Sequence, residues 1–168
     1  PAGYASQDNT WTGFYIHQFK MTLPGAISKG GKTSEVFANN FVIDQSGVSG
    51  LFEITNMIAL EEGRMGGWAF SIDRFGLNFT SNHLNGSGMT GRMQLPFMKN
   101  NMLAYSAVVS HNTTLQELDY NFSLSPAKNI SAEVLAAKLD IFPTSVINIS
   151  KKNGVFSPSA VLNGKISV

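Results

Sequence analysis

The sequence predicts an all-β domain, built from antiparallel hairpins in a sandwich or a curved, elongated sheet. Three observations carry that expectation. Charged residues make up only 14% of the 168-residue chain, well under the usual ~25%, and Ser, Thr, Asn and Gly supply the missing polarity. These residues offer turn conformations and local side-chain-to-backbone hydrogen bonds, which suit short strands joined by turns. Several short segments alternate apolar and polar residues at period two, and Asp, Asn and Gly clusters separate them. About ten strands follow one another in this way, with no strand–helix alternation that would signal a parallel sheet.

The first of them, FKMTLP (19–24), alternates Phe19, Met21 and Leu23 against Lys20 and Thr22, then stops at Pro24-Gly25. VFANNFVIDQSGVSGLFEI (36–54) reads as strand, turn and strand, with Asp44-Gln45-Ser46-Gly47 as the turn. WAFSIDRFGLNFT (68–80) has the same phrase, Phe70 standing where Phe41 stands, so a second turn is expected at Asp73-Arg74-Phe75-Gly76. Asn85-Gly86-Ser87-Gly88 reads as a further turn. LAYSAVVS (103–110) and LDYNFSLS (118–125) read as hairpin partners, with Leu118, Tyr120, Phe122 and Leu124 on one face. Asn153-Gly154 within 146–161 is a two-residue hairpin signal. SAEVLAAKL (131–139) is the one ambiguous piece. Ser131 could cap a short helix, but the neighbouring strands favour a strand.

A glycine phrase recurs in GVSGLFEI (47–54), GMTGRMQLP (88–96) and VLNGKISV (161–168). Glycine inside a strand marks a bulge, a bend or a close backbone approach, so Gly50, Gly91 and Gly164 are expected at bulged or strongly bent positions. The glycines lie 41 and 73 residues apart, so no fixed period supports a regular solenoid.

Bulk composition excludes several classes. The net charge is +1 and the twelve Lys and Arg are scattered, so no basic stripe points to nucleic acid. Without cysteine there is neither a disulfide scaffold nor a thiolate metal site. No apolar run approaches the ~18 residues of a spanning helix. The chain begins at Pro1 without a Met, so 1–168 is expected to be a single β-rich domain excised from a longer protein.

Candidate sites each have a plain structural reading. AISKGGKT (26–33) satisfies a relaxed phosphate-loop pattern with FVID downstream. The mechanism needs a strand before the loop and a helix after it, whereas Pro24-Gly25 precedes and a strand follows, so a solvated loop is favoured. Carboxylate pairs could serve glycoside hydrolysis. Glu117 and Asp119 share one strand face, Glu61 and Glu62 stand in a loop-like stretch before Gly63, and Asp73 is a further candidate. Catalytic candidates are therefore Glu61, Asp73, Glu117 and Asp119, each of which also reads as a wet surface residue. His17, His83 and His111 lack ligand spacing, so no metal and no cofactor are expected. Six Asn-x-Ser/Thr sequons, at Asn78, Asn85, Asn112, Asn121, Asn129 and Asn148, reflect composition in a chain with 15 Asn. Trp11, Tyr15 and Trp68 are candidate anchors for a protein or carbohydrate surface, with Tyr105 and Tyr120 as further aromatics.

The ordered phrases WTGFYI, NNFVIDQSGVSG, GGWAFSIDRFGLNFTSN, GSGMTGRMQLP and PSAVLNGKISV run over most of the chain. Their order resembles long, repeat-bearing β-proteins of environmental bacteria, some of which sit beside extracellular contractile injection systems. The resemblance implies export or loading as cargo and brings no functional residues with it. Two functions are carried forward. The first is a non-catalytic structural or binding module of a large exported or surface bacterial protein, acting as spacer, adhesin or binding domain. The alternative is an effector domain of an injection system with hydrolase activity, directed at glycans. An extracellular or cell-surface location fits both, and the absence of cysteine agrees with it.

Overall fold

The computed structural model describes residues 11–24, 33–65, 67–94, 101–134 and 137–168. They form twelve strands: β1 (Gly13–Thr22), β2 (Glu35–Asp44), β3 (Gly47–Met65), β4 (Trp68–Thr80), β5 (His83–Gln94), β6 (Leu103–Asn112), β7 (Glu117–Pro126), β8 (Ile130–Val134), β9 (Ala137–Ile141), β10 (Val146–Lys152), β11 (Val155–Val161) and β12 (Gly164–Ser167). No helix occurs among the described residues. Nine strands make one antiparallel sheet in the order β1-β2-β3-β4-β5-β6-β7-β10-β11, and β12-β9-β8 make a second. Of the two expected arrangements, the chain adopts the elongated single sheet, with a small sheet at one end. The phosphate-loop pattern at 26–33 falls, apart from Thr33, outside the described residues.

The hairpins follow from turn chemistry. Between β2 and β3, Asp44 Oδ1 accepts the Ser46 amide at 2.8 Å, and Gly47 takes a φ of +112°. Between β10 and β11, Asn153 and Gly154 both have positive φ, 51° and 78°, as a two-residue turn matched to strand twist requires. The turn between β4 and β5 is Ser81-Asn82, with φ of 49° and 67°. Its Asn82 side chain accepts the Val48 amide at 2.8 Å, tying this turn to the β2–β3 turn.

Two expected turns are strand instead. Asp73–Gly76 lies inside β4 and Asn85–Gly88 inside β5. The repeated phrase therefore has two fates. Where the first copy has Ser46, the second has Phe75, an aromatic strand-former that pairs with Ile54 and Met89. Gly76 and Gly88 face each other across the β4–β5 ladder and turn nothing. The described residues of 131–139 belong to β8 and β9, which pair antiparallel, and not to a helix. Ser131 pairs with Asp140 and Glu133 with Lys138 between them, while nine residues are too few for a helix to stand without packing.

Bulges interrupt the ladders at particular places. Asn40 and Phe41 oppose Gly50, and Asn40 adopts φ of 50° while Gly50 adopts 144°. Register also shifts past Asn56, past residues 59–62 of β3, between Phe70 and Arg74 of β4, and at Asn85 of β5. Asn40, Asn56, Asn82 and Asn153 account for four of the six non-glycine residues with positive φ among the described residues. Asn tolerates that region because its short side chain bonds locally to the backbone. Its abundance is therefore partly a requirement of the backbone.

The glycine expectation divides in the same way. Gly50 faces a bulge. Gly91 lies beside the β4 bulge, where a Cβ would collide with the Ser71 carbonyl and come within 2.7 Å of the Tyr105 hydroxyl. Gly164 is regularly paired with Ile141, and only the closeness of the Asp140 carbonyl excludes a side chain. Replacing Gly91 by Ala should cost about 1–3 kcal/mol by overpacking. Gly88, whose Cβ would meet nothing nearer than 4.0 Å, should accept Ala with a gain of about 0.5–1 kcal/mol. Denaturant midpoints of the two variants, compared with the parent, check the pair.

Candidate functional site: two unlike faces of one sheet

Between the bulges lies a band in which all nine strands pair regularly. Reading residue by residue across the ladders gives Met21, Val36, Ile54, Phe75, Met89, Ala107, Phe122, Ile149 and Pro158, one residue from each strand. Every member is apolar. The adjacent row gives Thr22, Glu35, Thr55, Arg74, Thr90, Ser106, Ser123, Asn148 and Ser159, and every member is polar. Neighbouring residues in a strand point to opposite sides, so the sheet has one apolar face and one Ser/Thr/Asn face.

The apolar face continues for a further row through Phe19, Ala38, Phe52, Leu77, Val109, Tyr120 and Phe156, interrupted by Ser87 on β5 and Lys151 on β10. Edge-to-face ring contacts Phe14–Phe41–Phe52–Phe79, with centroids 5.5 to 6.5 Å apart, extend it toward one end of the strands. In a sandwich these residues would be buried against a second sheet about 10 Å away. Here none of the nine apolar residues in the central row is buried, and Met21 is 45% exposed. Only Ala38, Val42, Ala59, Tyr105 and Ile130 are buried apolar residues among those described. The accessible surface is 11,050 Å². A compact monomer of 18.2 kDa has about 8,100 Å². The small sheet meets the large one only at a corner, around an apolar pocket of about 140 Å³ lined by Leu103, Leu124, Ile130, Ile141, Ile147 and Leu162.

The polar face carries two shallow troughs. The larger, about 380 Å³, runs over Gly76, Gly88 and Ser106, with the Arg74–Glu53 ion pair (3.2 Å) on its wall. The smaller, about 350 Å³, includes Asp119, Asn121 and Ser150. Each is lined by a single carboxylate, and in the larger that carboxylate is already paired.

The carboxylates singled out from the sequence are dispersed. Glu61 and Glu62 lie within β3, in the stretch 59–62 that has no counterpart opposite Ser71, so the loop-like composition marks an excursion of a strand. Arg64 braces it, donating to the carbonyls of Leu60 (3.2 Å) and Gly63 (3.1 Å). Asp73 is held by Arg92 in a bidentate pair, at 2.9 Å to Nε and 3.0 Å to Nη2. On β7, Glu117 binds Lys151 Nζ of β10 at 2.6 Å, and Asp119 accepts Asn112 Nδ2 of β6 (3.2 Å) and the Asn153 amide of the β10–β11 turn (2.9 Å). The hydrogen bond that Lys151 donates to Glu117 raises the Lys151 pKa, and the one that Arg92 donates to Asp73 likewise raises that of Arg92. Two separated, hydrogen-bonded clusters result, and the groups within them stabilise the sheet.

The aromatics are also spread apart. Trp11, 39% exposed, donates Nε1–H to Asp44 at 3.4 Å, and Tyr15 touches His17 and Asn40 at the same end of the sheet. Trp68 begins β4, whose far end meets the β2–β3 turn, so it lies roughly 40 Å along the strand direction from Trp11. His83 and His111 sit on β5 and β6, and among the described residues no three His, Cys, Asp or Glu side chains gather to hold a metal. No described helix is long and apolar enough to cross a membrane.

The most enclosed polar group is Ser71, fully buried in β4. Its Oγ accepts the Arg92 amide at 3.0 Å and its carbonyl accepts the Tyr105 hydroxyl at 2.7 Å. Ser71 did not stand out in the sequence, and Tyr105 stood out only as one of the further aromatics. Burial, helped by the negative charge of Asp73, lifts the Tyr105 hydroxyl above the ordinary tyrosine pKa. No family model, curated protein or solved structure matches the chain.

A raised tyrosine pKa stabilises the fold below the unfolded value, about pH 10, and that stability is lost as pH rises through the folded value. Wild-type stability should therefore fall above about pH 10. Tyr105→Phe should be about 1–2 kcal/mol less stable at pH 8 and should lose this alkaline slope. Urea unfolding at pH 8, 10 and 11 reads both effects.

Proposed function

We propose that this chain is a non-catalytic β-module of a larger exported or surface protein of bacteria, and that its apolar sheet face is the surface it works through. The single observation behind this reading is the uncovered row of nine apolar residues backed by a row of nine polar ones. Isolated surface apolar residues need no explanation, but a contiguous face of this size marks an interaction surface. The paired state of Asp73 and Glu117, and the lone carboxylate in each polar trough, also agree with a module that does no chemistry. Stable exported arrays are commonly assembled from such units, where stacking supplies the covering layer that a single unit lacks.

The competing reading, a glycan-directed hydrolase carried by an injection system, makes a different demand. It needs two carboxylates about 5–10 Å apart with room for a sugar between them. Incubating the purified chain with peptidoglycan, chitin and alginate should release no reducing ends above a buffer blank. Reducing-end release that disappears in Asp73→Asn or Glu117→Gln would establish the hydrolase reading instead.

A further inference from the structure

We infer that the apolar face is covered by the same face of a second copy of this chain, in a face-to-face pair. This deepens the reading above and rests on it. Nine strands at about 4.8 Å make a face about 38 Å wide, and the central row with its two mostly apolar neighbours, one through Phe19, Phe52 and Leu77 and one through Tyr105, Leu124, Ile147 and Ala160, makes it about 20 Å tall at about 6.6 Å per row. The product, on the order of 800 Å² a side, is what a stable pairwise interface buries from each partner.

The chemistry of the face favours a like partner over others. Its central row carries no charge, so no acidic or basic partner is selected by complementarity. The twelve Lys and Arg are scattered through the sequence, giving no basic rim to draw an anionic lipid surface. The apolar pocket beside the face, about 140 Å³, is too small for an acyl chain or a drug-sized ligand. A ribbed, mostly apolar sheet face, whose Lys151 is already paired with Glu117, is matched best by another one, the two packing about 10 Å apart as in a sandwich. Self-pairing across a two-fold axis makes the contact isologous and closed, so it ends at two copies.

The middle strand of the nine is β5, and Met89 is its member of the apolar row. A two-fold axis through the centre of the face brings the two copies of residue 89 together. The adjacent Thr90 points away, on the polar face. Because the chain contains no cysteine, single-cysteine variants report this directly.

Sedimentation equilibrium at micromolar concentration should give about twice the 18.2 kDa chain mass, and Tm should rise with protein concentration. Met89→Cys should be captured as a covalent dimer by a short bismaleimide, while Thr90→Cys should not. Circular dichroism of both variants should match the parent. A folded species of 18.2 kDa at every concentration would overturn the inference. So would a dimer cross-linked through Thr90→Cys alone, or a dimer joined along the open edges of β1 and β11 that neither variant captures. Flotation of the monomer with phosphatidylcholine vesicles would assign the face to lipid and overturn it as well. None of these results produces reducing ends, so failure here remains distinguishable from failure of the non-catalytic reading.

Discussion

The bidentate pair between Arg92 and Asp73, with the two hydrogen bonds accepted by Ser71, holds β4 and β5 in step past a bulge that would otherwise let them slip. Three residues of β4, from Ser71 to Asp73, face two of β5, Gly91 and Arg92. An extra residue reverses which side every later side chain points to, so the reversal must occur in one defined place. Ser71 marks it. Its carbonyl is turned into the sheet and satisfied by Tyr105 from β6, and Gly91 leaves the space that this carbonyl needs. Three strands are thus locked by one buried serine, one tyrosine and one ion pair.

That lock protects the band of regular pairing on one side. On the other, Asn40 opposite Gly50 and the extra Asn85 of β5 mark where regularity ends. Between these limits the ladders run unbroken from β1 to β11, and period-two alternation lines up one wholly apolar row beside one wholly polar row. A one-residue slip that exchanged the two rows would place Thr, Ser, Asn, Glu or Arg in the apolar row and an apolar side chain in the polar row. The bulges therefore flank the regular band and keep its two central rows in register across all nine strands.

Much of this was legible in the residues. All-β architecture followed from composition and turn signals, and the hairpins at 36–54, 103–125 and 146–161 formed because Asp44, Gly47, Asn153 and Gly154 meet real backbone requirements. The apolar side of β7, from Leu118 to Leu124, was visible as alternation. Other signals misled for physical reasons. Asp73 and Gly76 look like turn residues, but Asp73 is an anchor for Arg92 and Gly76 lies flat against Gly88. Ser71 is invisible in sequence because its importance comes from burial and partners brought from β5 and β6. Alternation shows that one side of a strand is apolar and says nothing of whether the covering layer lies in the same chain.

That last distinction ties stability to function in this molecule. A sheet with five buried apolar residues among those described lacks the desolvated core that normally offsets backbone ordering. The largest reserve of apolar area it can still remove from water is the face itself, so any contact that covers the face would also stabilise the chain. The polar face completes the division. With charge at only 14%, the Ser/Thr/Asn rows keep that side solvated, and short bonds such as Ser123 to Asn148 (2.5 Å) satisfy neighbouring side chains along it. One side is thus built to stay in water and the other to leave it, and Ser71, Gly91 and Arg92 keep the two apart.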